Sequence, residues 1–320
     1  MTSPSLFTIV VPFFNPGSLI LNSIRSLNNL RCRDFYVIFV DDGTNNETGN
    51  IYELIKENSF FDYEIITQEN LGNGIARNRG IKKAKSEWIM FLDCDDSISP
   101  FILDEYIKVI NANDKCDLVF CDYSLVNEDG IDNYLPFAKH KNEKFSSEKL
   151  SLLFLERKRV VLAPGTIYNL DFIKNNSISF ESIRWSEDQL FVWNCILKCN
   201  TAVHVCLPLY NYLTNVSSSV MSSTKVDKMI EAFKSFLELE KACKQKAIRR
   251  FLASRWLFGT LRTLALRNDP DGFYTLYKDC SGKKMINKLI AFKDFKIFFV
   301  AFTHLLFGKK ALYKLLRKSH

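Results

Sequence analysis

The sequence predicts an α/β protein with a mostly parallel, Rossmann-like sheet and a C-terminal extension made of helices. Within the first 110 residues, short apolar runs alternate with amphipathic stretches at helical spacing. An alternation of strands and helices of this kind is typical of a parallel sheet with helices packed on its faces. From residue 226 onward the apolar residues recur at helical spacing, which predicts a packed set of helices.

The first 110 residues are predicted to hold four strands and three helices. The strands are the apolar runs at 7–12, 35–40, 63–67 and 88–92. The helices between them are 19–30, 51–56 and 74–85. Ligands of such sheets bind beyond the carboxyl ends of the strands, so the residues that follow each strand are candidates for a site.

The composition is that of a globular protein. The chain has 320 residues, of which 47% are apolar and 25% charged, enough for one large domain or two. Its nine cysteines show no metal-finger spacing, and an odd number cannot all pair within the chain, which favours a reducing, cytoplasmic compartment. The apolar run at 6–14 is short and meets Asn15-Pro16-Gly17, so we expect no signal peptide.

The net charge of +7 is divided unevenly along the chain. Residues 225–320 carry 22 Lys and Arg against 8 Asp and Glu, whereas the residues before them are net acidic. An excess of positive charge is typical of a surface that meets phosphate, either of nucleic acid or of an anionic membrane. The alternative is a solvated helix surface.

The acidic stretch Asp93-Cys94-Asp95-Asp96 directly follows the strand predicted at 88–92. Three carboxylates within four residues repel one another unless a cation or hydrogen-bond donors hold them. Carboxylate oxygens suit Mg²⁺ or Mn²⁺, and Mg²⁺ takes its remaining ligands from phosphates and water. Asp93 and Asp95 are therefore predicted metal ligands for a phosphorylated substrate, and the alternative is a polar turn that caps the next helix.

Polar residues also follow the first two strands. Asn15 comes after the first, and Asp41-Asp42-Gly43 comes after the second. Each alone would be interpreted as a turn. Because the carboxyl ends of parallel strands share one edge of a sheet, their joint placement favours a site there.

Four segments in this order resemble the motifs of family 2 glycosyltransferases. They are 7–15, 40–44, 70–72 with 76–80, and 91–96, and a fifth at 185–191 resembles the Glu-Asp motif of the acceptor half. The resemblance implies the GT-A fold of nucleotide-diphosphosugar transferases. It also implies a catalytic domain at 1–224, with a nucleotide-sugar-binding half at 1–110 and an acceptor-binding half at 111–224. The basic helical region at 225–320 lies outside the resemblance.

The resemblance assigns expected roles in donor binding. Pro12 and Phe14 would lie against the uracil, Asp42 would accept its imide proton, and Asn15 would brace the loop. Asp93 would bond the ribose, and Asp95, with Asp93, would hold Mn²⁺ or Mg²⁺ on the diphosphate. The donor-binding residues expected in all are Pro12, Phe14, Asn15, Asp42, Arg77, Asn78, Asp93 and Cys94. Arg77 and Asn78 would approach the base or the phosphates, although Arg77 is equally compatible with a surface helix.

Asp188 is the expected catalytic base. It lies at the start of a largely apolar helical stretch, where exposed N–H groups stabilise a carboxylate. The alternative is that Ser186 caps this helix and that Glu187 and Asp188 are ordinary first-turn acids. In the resemblance, Asp188 takes the proton of the acceptor hydroxyl, Glu187 and Trp185 orient the acceptor, and the anomeric configuration inverts. The segment 210–219 resembles the part of these enzymes that closes over the donor phosphates, and His204 is interpreted as a strand residue rather than a ligand.

The last 35 residues mix lysines with phenylalanines and leucines, a composition that suits the face of an anionic bilayer. The apolar run at 297–307 is about half the length that a bilayer crossing requires. We therefore predict peripheral contact with the inner face of the cytoplasmic membrane and no nucleic-acid partner. Packing against the catalytic domain, or formation of a homo-oligomer through these helices, is the alternative.

The sequence thus predicts a metal-dependent, inverting glycosyltransferase that extends a bacterial surface polysaccharide. Its donor would be a nucleotide sugar such as a UDP-sugar, and its acceptor a glycan or lipid-linked saccharide. A sugar-phosphate nucleotidyltransferase is an alternative, but 15–18 lacks the basic residues expected after its first strand. A non-catalytic glycan- or membrane-binding protein with a vestigial donor site is another, and the retained Asp42, Asp93, Asp95 and Asp188 argue against it.

Overall fold

The computed structural model describes residues 4–45, 50–113, 115–127, 130–134, 142–214, 225–292 and 294–318. Contacts divide the chain into two compact units. The first unit is Met1–Leu150 with Lys158–Ser217, and the second is Ser151–Arg157 with Ser218–His320. The predicted boundary between residues 224 and 225 adjoins a segment outside the described residues, and it stays a prediction.

The first part of the first unit has the predicted order of strands and helices. The strands are β1 (Phe7–Phe13), β2 (Phe35–Asp41), β3 (Tyr63–Thr67) and β4 (Trp88–Phe91). The helices are α1 (Ile20–Asn28), preceded by a 3₁₀ turn at Gly17–Leu19, α2 (Ile51–Asn58) and α3 (Asn73–Lys83). All neighbouring strands here are parallel, in the order β3-β2-β1-β4, which confirms the predicted parallel sheet.

The rest of the first unit extends this sheet with mixed pairing. Its strands are β5 (Ser97–Ile98), β6 (Leu118–Asn127), β7 (Gly130–Tyr134), β8 (Glu143–Phe145), β9 (Ile167–Asn169) and β10 (Ala202–Leu213). Its helices are α4 (Ile102–Ala112), α6 (Leu170–Asn175) and α7 (Glu187–Lys198). Helix α5 (Ser147–Leu155) begins in this unit, and its residues from Ser151 onward belong to the second unit. β9 lies between β4 and β6 and is antiparallel to both, and β10 then runs parallel to β6.

The central strand β1 is buried along its whole length, which its continuous apolar sequence explains. Helix α3 lies close above it, because a Cβ atom on Gly80 would come within 2.4 Å of Val10 Cγ1. Only glycine permits that approach. Contact with β1 therefore sets how closely α3 packs on the sheet. The polar side chains of α3 near the sheet edge are positioned by this contact.

Strand β10 corrects one expectation and agrees with another. The segment 210–212 belongs to this strand rather than to a lid, and residues 217–219 lie outside the described residues. His204 is a buried strand residue, whose ring stacks on Phe120 and whose Nε2 lies 2.9 Å from Asp122 Oδ1.

The second unit is helical, as predicted. It contains α8 (Val226–Ala242), α9 (Lys246–Arg249), α10 (Leu252–Leu266), α11 (Pro270–Asp279), α12 (Gly282–Lys288), a 3₁₀ turn (Leu289–Ala291) and α13 (Phe295–Lys318). Gly308 interrupts α13 with a φ of 74°. None of the helices in the described ranges combines the length and apolar character needed to cross a bilayer.

Candidate active site

The carboxyl ends of β1, β2 and β4 meet at one edge of the sheet. Asp41 ends β2, Asp42 follows it, and the backbone N–H of Asp42 donates to Phe13 O at the end of β1. β4 pairs with β1 on its other side, so Asp93 emerges beside the same strand. The structure therefore brings together the residues that follow these three strands.

Asp42 holds the loop that leads into α3. Its carboxylate, which is 3% exposed, accepts hydrogen bonds from Gln68 Nε2 at 2.6 Å and from the backbone N–H groups of Leu71 and Gly72 at 2.8 Å each. Gly72 has a φ of 97°, a conformation that favours glycine. Both carboxylate oxygens of Asp42 therefore accept hydrogen bonds from this loop. The expected bond of Asp42 to a uracil imide stays a prediction.

Asp41 and Asn15 stabilise the neighbouring loop. Asp41 accepts hydrogen bonds from the Tyr52 hydroxyl and from Thr44 N–H. The bond between Tyr52 and Asp41 raises the pKa of Tyr52 to about 12. Asn15 donates its N–H to Thr44 Oγ1 at 3.1 Å, and its Oδ1 accepts from Asn45 N–H at 3.0 Å. The geometry is consistent with the bracing role expected for Asn15.

Replacing the loop-holding carboxylate tests this arrangement. In Asp42→Asn, one acceptor oxygen becomes an amide nitrogen, so at least one N–H of the loop loses its partner. We expect the free energy of unfolding to fall by about 1–3 kcal/mol, the usual loss for a buried donor without an acceptor. Urea unfolding measures this change. Asp62→Asn, at an exposed position before β3, is the matched control, and equal stability of the two variants would contradict the assigned role.

Arg77 joins parts of the site that are far apart in sequence. Its guanidinium is 2.6 Å from Asp93 Oδ1 and 3.5 Å from Glu187 Oε1, and the side chain is only 3% exposed. Burial alone would lower the pKa of Arg77, but the charges of Asp93 and Glu187 raise it above its usual value. The surface-helix alternative for Arg77 is therefore wrong, since its charge lies buried between two carboxylates.

Asn78, the residue after Arg77, pairs with backbone rather than facing open space. Its Nδ2 donates to Phe180 O, and its Oδ1 accepts from Phe180 N–H, both at 2.8 Å. This pair ties α3 to the segment that leads into α7. The geometry supports a positioning role, and direct contact of Asn78 with a donor stays a prediction.

The other expected donor residues differ in exposure. Pro12 is buried in β1, and Phe14 is 46% exposed at the end of that strand, where it can meet a ligand. Cys94 packs against the core, and burial raises the pKa of its thiol well above the usual value.

The carboxylates of the acidic stretch after β4 differ in their hydrogen bonds. Asp96 is buried and accepts from the Tyr210 hydroxyl and, at 2.7 Å, from Leu213 N–H, so it anchors β10. Asp95 makes no side-chain hydrogen bond to any other residue in the described ranges, and burial, together with the charge of Asp93, raises its pKa. Asp95 therefore has acceptor oxygens to offer a ligand, whereas Oδ1 of Asp93 already pairs with Arg77.

Glu187 and Asp188 form the first turn of α7. Burial, followed by the charge of Asp188, raises the pKa of Glu187 to about 7 against the lowering effect of Arg77. Burial also raises the pKa of Asp188, which Arg77 partly offsets and the charge of Asp93 increases. The two acids therefore share an electrostatic environment with the residues that follow β4.

Ser186 does not act as the conventional cap expected in the alternative interpretation. It occupies the N-cap position with a φ of 58°, and its side chain caps none of the described N–H groups of α7. A left-handed serine is an unusual conformation, of a kind that recurs at functional sites. Trp185, immediately before it, is buried. Ser186 therefore precedes α7 without contributing a side-chain cap.

The segment before Trp185 also reaches the loop held by Asp42. Arg184 donates to Asn70 O at 2.9 Å, and its Cγ lies 3.7 Å from the position of a Cβ on Gly72. Arg184 and Gln68 were not predicted from the sequence, which shows no periodic signal for contacts of this span. Tyr210, the partner of Asp96, was predicted only as part of a lid.

Comparisons with known proteins bear on the family and the fold of the chain. The model of the glycosyl transferase family 2 matches residues 8–166, about half of the chain. EpsH of Bacillus subtilis, named as a glycosyltransferase, is 29% identical over 251 residues, which cover 77% of this chain and 71% of EpsH. The poly(ribitol-phosphate) β-N-acetylglucosaminyltransferase TarS of Staphylococcus aureus is 26% identical over 274 residues, 82% of this chain but only 46% of TarS.

Solved structures share the fold. TarS residues 1–349 in complex with UDP-GlcNAc superpose with a TM-score of 0.72 and 19% identity, over 98% of this chain and 90% of that one. The mannosyltransferase PcManGT of Pyrobaculum calidifontis, in complex with GDP-Man and Mn²⁺, has a TM-score of 0.58 and 13% identity, over 99% of this chain and 83% of that one. These neighbours confirm the predicted GT-A fold. The family model and the curated relatives show that the chain is an enzyme and belongs to glycosyltransferase family 2.

Proposed function

We propose that the protein transfers a sugar from a nucleotide sugar, a UDP-sugar, to an acceptor hydroxyl with inversion at the anomeric carbon. The observation that carries this proposal is the Arg77 bridge, which joins Asp93 of the donor half to Glu187 beside Asp188. It unites the residues expected to bind a donor with the residue expected to activate an acceptor. The UDP-GlcNAc complex of TarS, a protein of the same fold, supports UDP as the nucleotide.

The residues present fit a divalent cation that is held jointly by protein carboxylates and by the phosphates of a nucleotide sugar. No three His, Cys, Asp or Glu side chains converge on a metal site within the described ranges. Mg²⁺, however, needs only one or two carboxylates when phosphates and water complete its shell. Asp95, with Asp93 beside it, offers that donor set, and a bound Mn²⁺ or Mg²⁺ would neutralise the charge that grows on the departing diphosphate.

Asp188 would take the proton from the attacking hydroxyl. Its position in the first turn of α7 places its charge near exposed N–H groups, and Arg77 opposes the rise in its pKa that burial causes. Both effects favour the ionised carboxylate, which is the form that a general base requires. Glu187, whose pKa is about 7, would orient the acceptor together with Trp185.

We propose that the acceptor is a glycan or lipid-linked saccharide of a bacterial cell surface. The name of TarS describes transfer to poly(ribitol-phosphate), and a second relative is named as a poly(ribitol-phosphate) β-glucosyltransferase of Bacillus spizizenii. Transfer of sugar to a lipid-linked acceptor would place the enzyme in the cytoplasm, in peripheral contact with the membrane. The excess of Lys and Arg in residues 225–320 suits that contact.

Incubation with a panel of nucleotide sugars tests the proposal. With Mn²⁺ present, we expect UDP release from one UDP-sugar and much less from GDP- or CMP-sugars. A calorimetric titration with UDP provides a second measurement that does not need the acceptor. Failure to bind any nucleoside diphosphate in the presence of Mn²⁺ would contradict the proposed function.

A further inference from the structure

The last helix of the second unit exposes a row of large apolar side chains. They recur about one turn apart in the first half of α13 and are between 36% and 58% exposed. We call them the α13 face: Phe298, Phe299, Phe302, Leu305 and Leu306. The opposite side of the same helix is packed, since Ile297, Ala301 and His304 are buried. Exposed apolar patches of this kind mark interaction sites.

Basic residues precede and follow the α13 face along the chain. Lys296 precedes it, and after the interruption at Gly308 the helix continues with five further basic residues, Lys309, Lys310, Lys314, Arg317 and Lys318. The whole of α13 contains no Asp or Glu. The apolar stretch is thus bordered by cations that no acid of the same helix neutralises.

A lysine-lined cavity lies next to this helix. It has a volume of about 490 Å³, and its lining includes Lys278, Lys283 and Lys284. Tyr277 and Asn287, which also line it, hydrogen-bond to the buried His304 of α13 at 2.6 and 3.1 Å. The cavity wall is therefore attached to the helix that carries the α13 face.

We infer that the α13 face docks on an anionic phospholipid bilayer and that the lysine-lined cavity receives a lipid phosphate. Apolar side chains bordered by lysines are the composition of helices that lie in the membrane interface. The stretch 298–307 rises only about 15 Å, half the thickness of the hydrocarbon core, so it lies in the interface and does not cross it. The inference rests on the proposed membrane contact and is independent of sugar transfer.

A second copy of the chain is a less favourable occupant of this surface. A twofold contact places the same patch on both subunits, so it would bring the lysines around one α13 face close to those of the other. Like charges at such an interface oppose association. An anionic bilayer instead offers an apolar boundary and negative charge together.

Cosedimentation with lipid vesicles tests the inference on the full-length protein. We expect binding to phosphatidylcholine vesicles that contain phosphatidylglycerol, little binding to phosphatidylcholine alone, and release by salt. Phe302→Ser combined with Leu306→Ser should weaken binding to the anionic vesicles at least tenfold, since each side chain loses its transfer into the apolar boundary. Phe60→Ser is the matched control, because Phe60 is 77% exposed on the first unit, and it should bind like the unchanged protein.

The role of the cavity is tested separately by Lys283→Glu combined with Lys284→Glu. Each lysine near an anionic surface contributes about fivefold to membrane affinity, and a reversed charge costs more. We therefore expect the affinity for anionic vesicles to fall at least about twentyfold. Lys56→Glu, an exposed lysine of α2, is its control. UDP binding measured in the same samples reports on the donor site, so a loss confined to vesicle binding separates the two functions.

Two results would overturn the inference. One is vesicle binding that is unaffected by the substitutions on the α13 face. The other is no vesicle binding together with a dimer, seen by analytical ultracentrifugation, that dissociates in the Phe302 and Leu306 variant. The second result would assign the α13 face to a second copy of the chain.

Discussion

Asp188→Asn is expected to lower the rate of sugar transfer by about a hundredfold to ten-thousandfold, the usual contribution of a positioned general base. Asparagine keeps the shape of the side chain but cannot accept the proton of the acceptor hydroxyl. UDP affinity should stay unchanged, because the proposed donor contacts come from the residues that follow β1, β2 and β4. Transfer is measured by UDP release with an acceptor, and binding by calorimetry.

Asp171→Asn is the matched control for this substitution. Asp171 also lies in the first turn of a helix, α6, but it is exposed. It comes two residues after Asn169, which pairs with the first residue of β4. It therefore stands at the edge of the sheet opposite the site, and its loss should leave transfer unchanged. Normal transfer by Asp188→Asn would show that the base is assigned wrongly.

Glu187→Gln distinguishes the two neighbouring acids. Glu187 lies 3.5 Å from Arg77, so glutamine weakens an ion pair while keeping the size of the side chain. If Glu187 orients the acceptor, this variant should mainly raise the acceptor KM, whereas a base would lower kcat. Loss of kcat in Glu187→Gln with normal kcat in Asp188→Asn would exchange their roles.

The sequence predicted the parts of the fold that depend on local pattern. The strands from β1 to β4 and the helices between them lie where the apolar pattern placed them. Strands β1, β2 and β4 are largely buried, and parallel strands buried on both faces carry continuous apolar runs. The placement of Asn15, Asp42 and Asp93 at one edge followed from this order. Local sequence could not predict how long β10 is, since its bonds to Asp96 connect residues 114 and 117 positions apart.

Arg77 shows why the details of the site required the structure. Helix α3 carries Arg77, Asn78 and Arg79 in succession, a pattern equally compatible with a solvated surface. Burial of Arg77 is stable only because Asp93 and Glu187, 16 and 110 residues away, supply opposite charge. Asp42 is similar, because its role depends on the N–H groups of a loop 29 and 30 residues later.

Asp95→Ala is expected to reduce metal-dependent turnover by about a hundredfold or more, since a cation on a leaving group is worth several kcal/mol. The expected effect on UDP binding depends on the metal. With Mn²⁺ present, loss of a carboxylate ligand should weaken UDP binding by about tenfold or more, in line with the usual strength of charged interactions. Without metal, removing a negative charge near the diphosphate should leave UDP binding equal or slightly tighter.

This dependence on metal separates a ligand role for Asp95 from a structural one. A structural role would weaken UDP binding by the same factor with and without Mn²⁺, and it would lower the free energy of unfolding. Asp62→Ala, at an exposed position before β3, controls for the loss of one surface charge. If Mn²⁺ still strengthens UDP binding in Asp95→Ala as it does in the unchanged protein, the cation is held by other groups. Asp93 would then be the next carboxylate to replace, although its ion pair with Arg77 at 2.6 Å means that stability must be measured alongside binding.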